Sequence, residues 1–473
     1  MSNVVFIICD EMTRSALGCY GNTSAHTPNL DKLAKEGVCF TRAITPSPIC
    51  ISARSSLATG LAVHEHQDWS SAQAFDGALP TWMGRLRAQD VDVVSIGKLH
   101  FKSPDNDHGF SEERLAMYVA NNGIGWAEAL LRDPMPEYRG APELAADIGP
   151  GGSSYSDYDH KIIADAKQWL DNRASDDNQK NPFVLSVSLV SPHYPLNAPQ
   201  KYFDLVAEAD IPAPIQVEEN HPVLQQMRKF WAYDDHFDEQ SRHQARRNYW
   251  ALCAMIDVMV GQLVVSLEVN GFAEDTTIIF TSDHGEILGN RGWWCKSVMY
   301  EDSVGVPMII NGPALQGITG NNNTNVNLTD VGATIEHALL GHSNRPEKPW
   351  QATSMLNLAQ QPDSLRPVLS QYHDGGSPTG FALIQKGSHK LTRYAGNWPE
   401  QLFDVATDPN EENDLAGIDT NTQQDLGGIL ELMLDLEAAN KQAFASQKQT
   451  LEELGGEAAL DKLRAFNHTP VEL

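Results

Sequence analysis

Positive charge is scarce in this 473-residue chain: 34 Lys and Arg stand against 62 Asp and Glu, a formal net charge of −28. That balance argues against a nucleic-acid partner or an anionic membrane surface, since both call for a basic face. Cysteine is sparse as well. The six (Cys9, Cys19, Cys39, Cys50, Cys253 and Cys295) are scattered without paired spacing, which implies reduced thiols and gives no zinc signature. No stretch approaches the ~18 apolar residues of a membrane span. The most apolar segment, residues 255–269, is interrupted by Asp257 and Glu268. The first residues, MSNVVFIICDEM, carry no basic region or cleavage site before a strand-like run, so a cytoplasmic protein is expected. Internal repeats and long low-complexity tracts are lacking too, and the asparagine-rich run 320–325 reads as a polar loop.

What is present is ordinary for a globular protein: 41% hydrophobic and 20% charged residues. The length suggests one large domain, residues 1–362, and a smaller one, residues 363–473. Apolar runs alternate with helical patterns over the first three quarters, which predicts an α/β fold with a mostly parallel sheet. Strands are expected at residues 4–9, 91–96, 183–190, 276–281 and 306–310, and long helices at 158–172 and 240–270. A helix opened by Thr27-Pro28 should close at Gly37. Residues 111–156 and 196–238 read as irregular insertions that shape a pocket. After residue 362, short strands at 366–371, 380–385 and 390–394 precede a helical tail, predicting a small antiparallel sheet with a helix. Residues 401–473 carry 15 acidic and 4 basic side chains, as solvated acidic faces do.

Two acidic pairs follow predicted strands: Asp10-Glu11 after the first, and Asp283-His284 after TTIIFTS. In an open α/β sheet ligands bind at the carboxyl ends of strands, so the two pairs can converge. Three carboxylates and an imidazole suit one divalent cation, Ca²⁺ or Mg²⁺ first and Mn²⁺ through the imidazole. Alone, each acid would simply cap the next helix. A further helix is expected to begin at or just after Cys50, with Arg54 one turn on. Free N–H groups and a guanidinium then face an oxyanion and activate a nucleophile at position 50. The bland reading is a buried free thiol beside a helix arginine.

The run Cys50-x-x-x-Arg54 followed by Leu57-x-Thr59-Gly60 resembles the signature of type I sulfatases, a branch of the alkaline phosphatase superfamily. Their pattern is Cys-x-Pro-Ser-Arg, sometimes with Ala at the third position. Here Ser52 and Ala53 occupy the third and fourth places. Gly97-Lys98-Leu99-His100 is similar to the family's Gly-Lys-x-His element, and His108-Gly109-Phe110 follows it as in choline sulfatases. Ser191-Pro192-His193 resembles the Pro-His element. Asp283-His284-Gly285-Glu286 with Gly289 and Lys296 resembles the second metal motif and the sulfate-contacting lysine. Gln401-Leu402-Phe403-Asp404 and Thr407-Asp408-Pro409 resemble the C-terminal subdomain signature. Gln371-Tyr372-His373 and Gly396-Asn397-Trp398-Pro399 lean towards choline sulfatases.

The resemblance implies an alkaline-phosphatase-like α/β/α sandwich and a sulfuric ester hydrolase acting on a small organic sulfate or an exposed sugar sulfate. It implies that a maturation enzyme oxidises Cys50 to formylglycine, whose hydrate attacks the ester. It also implies that Asp10, Glu11, Asp283 and His284 hold one divalent cation. Arg54, Lys98 and Lys296 then neutralise sulfate oxygens, His193 protonates the leaving oxygen, and His100 is the base that releases sulfate. Trp69, Trp126, His373 and Trp398 are candidate substrate contacts, although aromatics are commonly core or rim packing. A homo-oligomer fits the family. Two other readings stay open: a phosphonate monoester or phosphodiester hydrolase, and a non-catalytic anion-ester binder. The stretch 42–102 has 6 basic and 5 acidic residues, so the expected pocket is a positive island in an acidic shell.

Overall fold

The first strand, NVVFIICD, is buried at all eight positions, as a parallel strand covered on both faces must be. Its alternate side chains enter two cores. Val5, Ile7 and Cys9 pack beneath the helices Ser154–Ser175 and Glu239–Val269. Val4, Phe6 and Ile8 face Trp82, Leu86 and Ile335 on the other side. Each such side chain contributes on the order of 1.5–3 kcal/mol by leaving water. The structure, a computed structural model, describes residues 2–138, 140–176, 181–342, 352–460, 463 and 469–471.

The larger sheet has eight strands: β1 (Asn3–Asp10), β2 (Val38–Ile44), β3 (Asp92–Lys98), β4 (Glu112–Met117), β5 (Phe183–Pro192), β6 (Thr276–Ser282), β7 (Met308–Asn311) and β8 (Gly320–Asn327). Their spatial order is β4-β3-β5-β1-β6-β7-β2-β8. Only β7 runs antiparallel to its neighbours β6 and β2. The central pairs are parallel, with Cys9 opposite Ser282 and Gly97 opposite Ser188, and an irregularity after Ile8 shifts the register of β1 on β5 so that Asp10 lies opposite Pro192. That register brings the ends of β1, β3, β5 and β6 to one edge of the sheet.

A second, antiparallel sheet has the order β12-β11-β10-β9, built from β9 (Pro367–Tyr372), β10 (Phe381–Lys386), β11 (His389–Tyr394) and β12 (Gln401–Asp404). One face takes Leu426, Leu430 and Ala443 from the helices Thr420–Met433 and Leu436–Glu453. The other packs Val368, Phe381 and Leu383 against Ile44, Ile49 and Val298.

Four local expectations are corrected. Residues 320–325 belong to edge strand β8, parallel to β2, and are not a loop. Its asparagines bond outward to the second sheet: Asn325 Nδ2 donates to the Arg366 carbonyl and Asn327 Nδ2 to that of Leu369. Residues 111–156 include edge strand β4, and 196–238 include the helix Pro222–Trp231. The helix Glu239–Val269 is, by length and composition, apolar enough to cross a membrane. However, 72% of its most apolar window is buried inside this fold. Its Asp257 accepts the backbone N–H groups of Asn29 and Leu30, so the interrupting charge is a docking point for the helix Pro28–Glu36.

Candidate active site

Cys50 is the first residue of the helix Cys50–Thr59, whose ten residues are all buried. Ile49 precedes it in extended conformation and supplies no side-chain cap, so the helix end offers its free N–H groups to the site. Cys50 Sγ lies 3.1 Å from His284 Nε2 and 3.5 Å from Asp10 Oδ1. His284 Nδ1–H donates to the Gly285 carbonyl across 3.1 Å. That bond leaves Nε2 with its lone pair towards the thiol and the carboxylates, the tautomer a metal ligand needs. Ser52, at the motif's variant position, is buried and donates to the Asp68 carbonyl at 2.7 Å.

One turn on, Arg54 is a three-way clamp. Its Nε donates to Asp283 Oδ2 at 2.8 Å, and its Nη1 to the Lys98 carbonyl at 2.9 Å and Ser188 Oγ at 3.0 Å. Nη2 is buried without a hydrogen-bond partner. Lys98, the last residue of β3, pairs with Asp10 Oδ2. Gly97 before it has φ +106, and a Cβ there would meet the Ser188 carbonyl oxygen at 2.2 Å. Only glycine lets β3 approach β5 closely enough to aim the lysine.

Strain gathers around this edge. Glu11, His100, Leu288, Arg291, Cys295 and Ser297 all have left-handed backbones, with φ from 54° to 84°. Such conformations cost on the order of 1–3 kcal/mol each and persist where the surroundings hold them. Glu11 is held by its N–H on Asp283 Oδ1 and its carbonyl under the Tyr249 hydroxyl.

One ligand atom from each of Asp10, Cys50, Asp283 and His284 falls within 4.8 Å of all the others. Of the four expected metal ligands, three are thus grouped, with the Cys50 sulfur as the fourth atom. The Glu11 carboxylate gathers instead with Glu286 and Cys295. It pairs with Lys296 Nζ at 3.1 Å and His193 Nε2 at 3.3 Å. Two hard oxygen donors and a neutral imidazole suit a divalent cation, while the Glu11 carboxylate is engaged by Lys296 and His193 in the second group.

Burial governs the titrations. It pushes the Cys50 thiol up to about 12 and the Glu11 carboxyl up to about 8, with Lys296 opposing both. It lowers the Lys98 ammonium to about 7, against Asp283, and His284 to about 3. His100 and His193 are driven well below their ordinary range by burial, with the neighbouring lysines adding to it. Asp283 goes the other way: burial raises it, but His284, Arg54 and Lys98 together hold it below the usual carboxylate range.

His193 follows β5, and its Nδ1–H donates to the Tyr194 carbonyl at 2.7 Å. His100 follows β3 by two residues, with Nε2 2.9 Å from Thr469 Oγ1. The four candidate substrate contacts stand apart from one another in character. Trp69 and His373 are completely buried, edge to face at 5.0 Å. Trp398 is half-buried against the core between the sheets. Trp126 belongs to a half-buried aromatic wall with Tyr138, Phe230, Trp231 and Tyr233, in which Trp126 and Trp231 centroids are 5.1 Å apart. The Tyr138 and Tyr233 hydroxyls are 2.9 Å apart. Sequence reading passed over Ser188, Tyr155, Asp159, Thr469 and most of this wall. The aromatic density of Phe230, Trp231 and Tyr233 was the one signal available.

The sequence model of the Sulfatase family matches residues 2–342. The chain is 31% identical over 434 residues to the choline-sulfatase of Rhizobium meliloti (strain 1021), covering 88% of this chain and 82% of that one. It is 26% identical to an arylsulfatase of Clostridium perfringens, over 87% and 90% of the two chains. The fold is similar to that of BT4656, solved with its substrate D-glucosamine-2-N,6-O-disulfate: TM-score 0.72, 19% identity, 93% and 99% coverage. It is also similar to the phosphonate monoester hydrolase of Agrobacterium radiobacter, with TM-score 0.70, 21% identity, and 94% and 96% coverage. With the family's sequence spanning the large sheet and every strand end of the site, the chain belongs to the sulfatase family and is a sulfuric ester hydrolase.

Proposed function

We propose that this protein hydrolyses a compact organic sulfate ester with a formylglycine at position 50 and one divalent cation, Ca²⁺ by preference. The observation that carries this reading is the seat of Cys50: a buried helix N-terminus, within reach of Asp10 and His284. Asp10, Asp283 and His284 would hold the cation, with Glu11 able to join them only on leaving Lys296 and His193, and the cation would supply positive charge to the sulfate oxygens. Formylglycine, once made by a maturation enzyme, would supply a geminal hydroxyl pair: one to attack sulfur, the other to let sulfate leave.

The chain's own residues do the rest. Arg54, Lys98 and Lys296 bind the sulfate oxygens in a site closed to bulk water, where their charge acts strongly. Arg54 also keeps Asp283 ionised and in place. His193, oriented by Tyr194, takes a proton at Nε2 from the Glu11 carboxyl it faces and delivers it to the leaving alcohol oxygen, and His100 takes the proton whose removal releases sulfate. Residues 1–362 make up the catalytic domain in this reading, and 363–473 a C-terminal subdomain.

The alcohol part of the ester would meet the aromatic wall of Trp126, Tyr138, Phe230, Trp231 and Tyr233. Rings so disposed favour a quaternary ammonium group, at about 0.5–2 kcal/mol per contact. The choline-sulfatase similarity supports the same class. Mass spectrometry of the peptide containing Cys50 tests the nucleophile: a loss of 18 mass units is expected on about every active chain, as thiol becomes aldehyde. Unmodified cysteine in fully active protein rejects it. Turnover of choline sulfate against aryl sulfate and aryl phosphonate tests the substrate, and a dominant rate on the phosphonate counts against a sulfate ester.

A further inference from the structure

The end of the chain returns to the site. Thr469 Oγ1 lies 2.9 Å from His100 Nε2, 369 residues apart in sequence. The Thr469 carbonyl accepts a 2.8 Å hydrogen bond from the Tyr155 hydroxyl. Tyr155 is buried in the first turn of the helix Ser154–Ser175, and its ring meets that of His193 edge-on, with centroids 6.0 Å apart. Two residues beyond Thr469, Val471 packs against the core that contains Tyr155. Thr469 is therefore anchored through its backbone and offers its side chain to one imidazole nitrogen.

That nitrogen matters because of the other one. His100 Nδ1 is buried and has no hydrogen-bond partner. Its backbone is pinned at φ 54° by an N–H bond of 2.9 Å to the Met117 carbonyl. The Thr469 hydroxyl can accept from Nε2–H or donate to Nε2, but a proton on Nδ1 would be a buried donor with no acceptor, so the proton belongs on Nε2. With Nε2–H donating to Thr469 Oγ1, Nδ1 keeps the lone pair.

We propose that Thr469, held by Tyr155, is the positioning residue for His100 and fixes the tautomer in which Nδ1 is the basic nitrogen. This rests on the reading of His100 as the base. Thr469 makes and breaks no covalent bond; the only transfer it governs is of one proton onto Nδ1. The carboxyl-terminal peptide thus completes an active site otherwise built from strand ends.

Thr469→Val keeps the shape and removes the hydroxyl, while Thr469→Ser keeps the hydroxyl. In the full-length mature protein, Thr469→Val should lower kcat roughly tenfold with KM changed less than about twofold, the loss of one oriented hydrogen bond. Thr469→Ser should restore kcat, and both variants should melt with wild type. The second readout is the ¹⁵N spectrum of the His100 ring in protein with unmodified Cys50. The Nε2-protonated pattern of wild type should give way to a mixture in Thr469→Val. An unchanged spectrum or an unchanged kcat in that variant overturns the proposal. His100→Ala separates it from the reading beneath: a large loss there with none in Thr469→Val rejects the positioning role alone. Full activity in His100→Ala rejects the base and the positioning role together.

Discussion

Arg54 and Asp283 form a buried ion pair, Nε to Oδ2 at 2.8 Å, with side-chain exposures of 4% and 0%. The pair joins the helix of Cys50 to the residue that follows β6, so the proposed anion-binding cation and a candidate metal ligand share one contact. Breaking a buried pair by removing one partner costs about 3–5 kcal/mol because the other charge is left uncompensated. Arg54→Ala should therefore lose both activity and thermal stability. Arg54→Lys is the sharper test: a single ammonium cannot meet Asp283, the Lys98 carbonyl and Ser188 together. It should fold, and kcat/KM for a sulfate ester should fall on the order of 10²-fold or more. Wild-type kcat/KM in the lysine variant would show that the three-way clamp is unnecessary.

Removing the cation should be reversible. Dialysis against a chelator is expected to lower kcat/KM roughly 10²-fold, about 3 kcal/mol of lost charge stabilisation. Ca²⁺ should restore it in wild type. In His284→Ala the Ca²⁺ concentration for half recovery should rise, because one of the grouped ligand atoms is gone. Equal recovery curves for the two proteins would remove His284 from the metal site.

Asp159 makes a pH-dependent contribution of definite sign. It accepts the N–H groups of Val190 and Ser191 at 2.7 and 2.9 Å, just before His193. Burial raises its carboxyl from 3.8 to about 6, over the opposing hydrogen bonds. A folded value above the unfolded one gives stability that is full below about pH 4 and lost as pH rises through about 6. The unfolding free energy of wild type should therefore fall by up to about 3 kcal/mol relative to that of Asp159→Asn between pH 4 and 6.5. Parallel curves across that range would count against the raised carboxyl.

The aromatics divide by burial. Trp69 is completely enclosed, so Trp69→Ala should cost about 3–5 kcal/mol of stability as a cavity opens. Trp231 is half-buried in the aromatic wall with Trp126. Trp231→Ala should leave melting within a few degrees and raise KM for choline sulfate about fivefold or more through lost cation–π contact. KM for an ester with an uncharged alcohol should change less. An equal effect on both esters would assign the wall to packing alone.

Much of the scaffold was legible in the chain itself, for local reasons. The near-continuous apolar runs of β1, β5 and β6 announce strands buried on both faces, and the acids and histidines placed just after them mark the functional edge of the sheet. The Cys50–Arg54 spacing sits on one helix, where two residues a turn apart share a face. What went unread lacked a local signal. The asparagines of β8 are polar and pair with a partner sheet dozens of residues away. The apolar run of Glu239–Val269 differs from a membrane span only by what surrounds it. Glu11 follows Asp10 directly, yet its left-handed backbone turns its carboxylate to Lys296 and His193, away from the group that Asp10 joins. Thr469 has no motif at all. Residue identity and short spacing decided which chemistry the strand ends could carry. The register of β1 with β5 and β6, and the return of the C-terminus, decided which atoms meet, because a contact across 272 or 369 residues exists only once the sheet has closed.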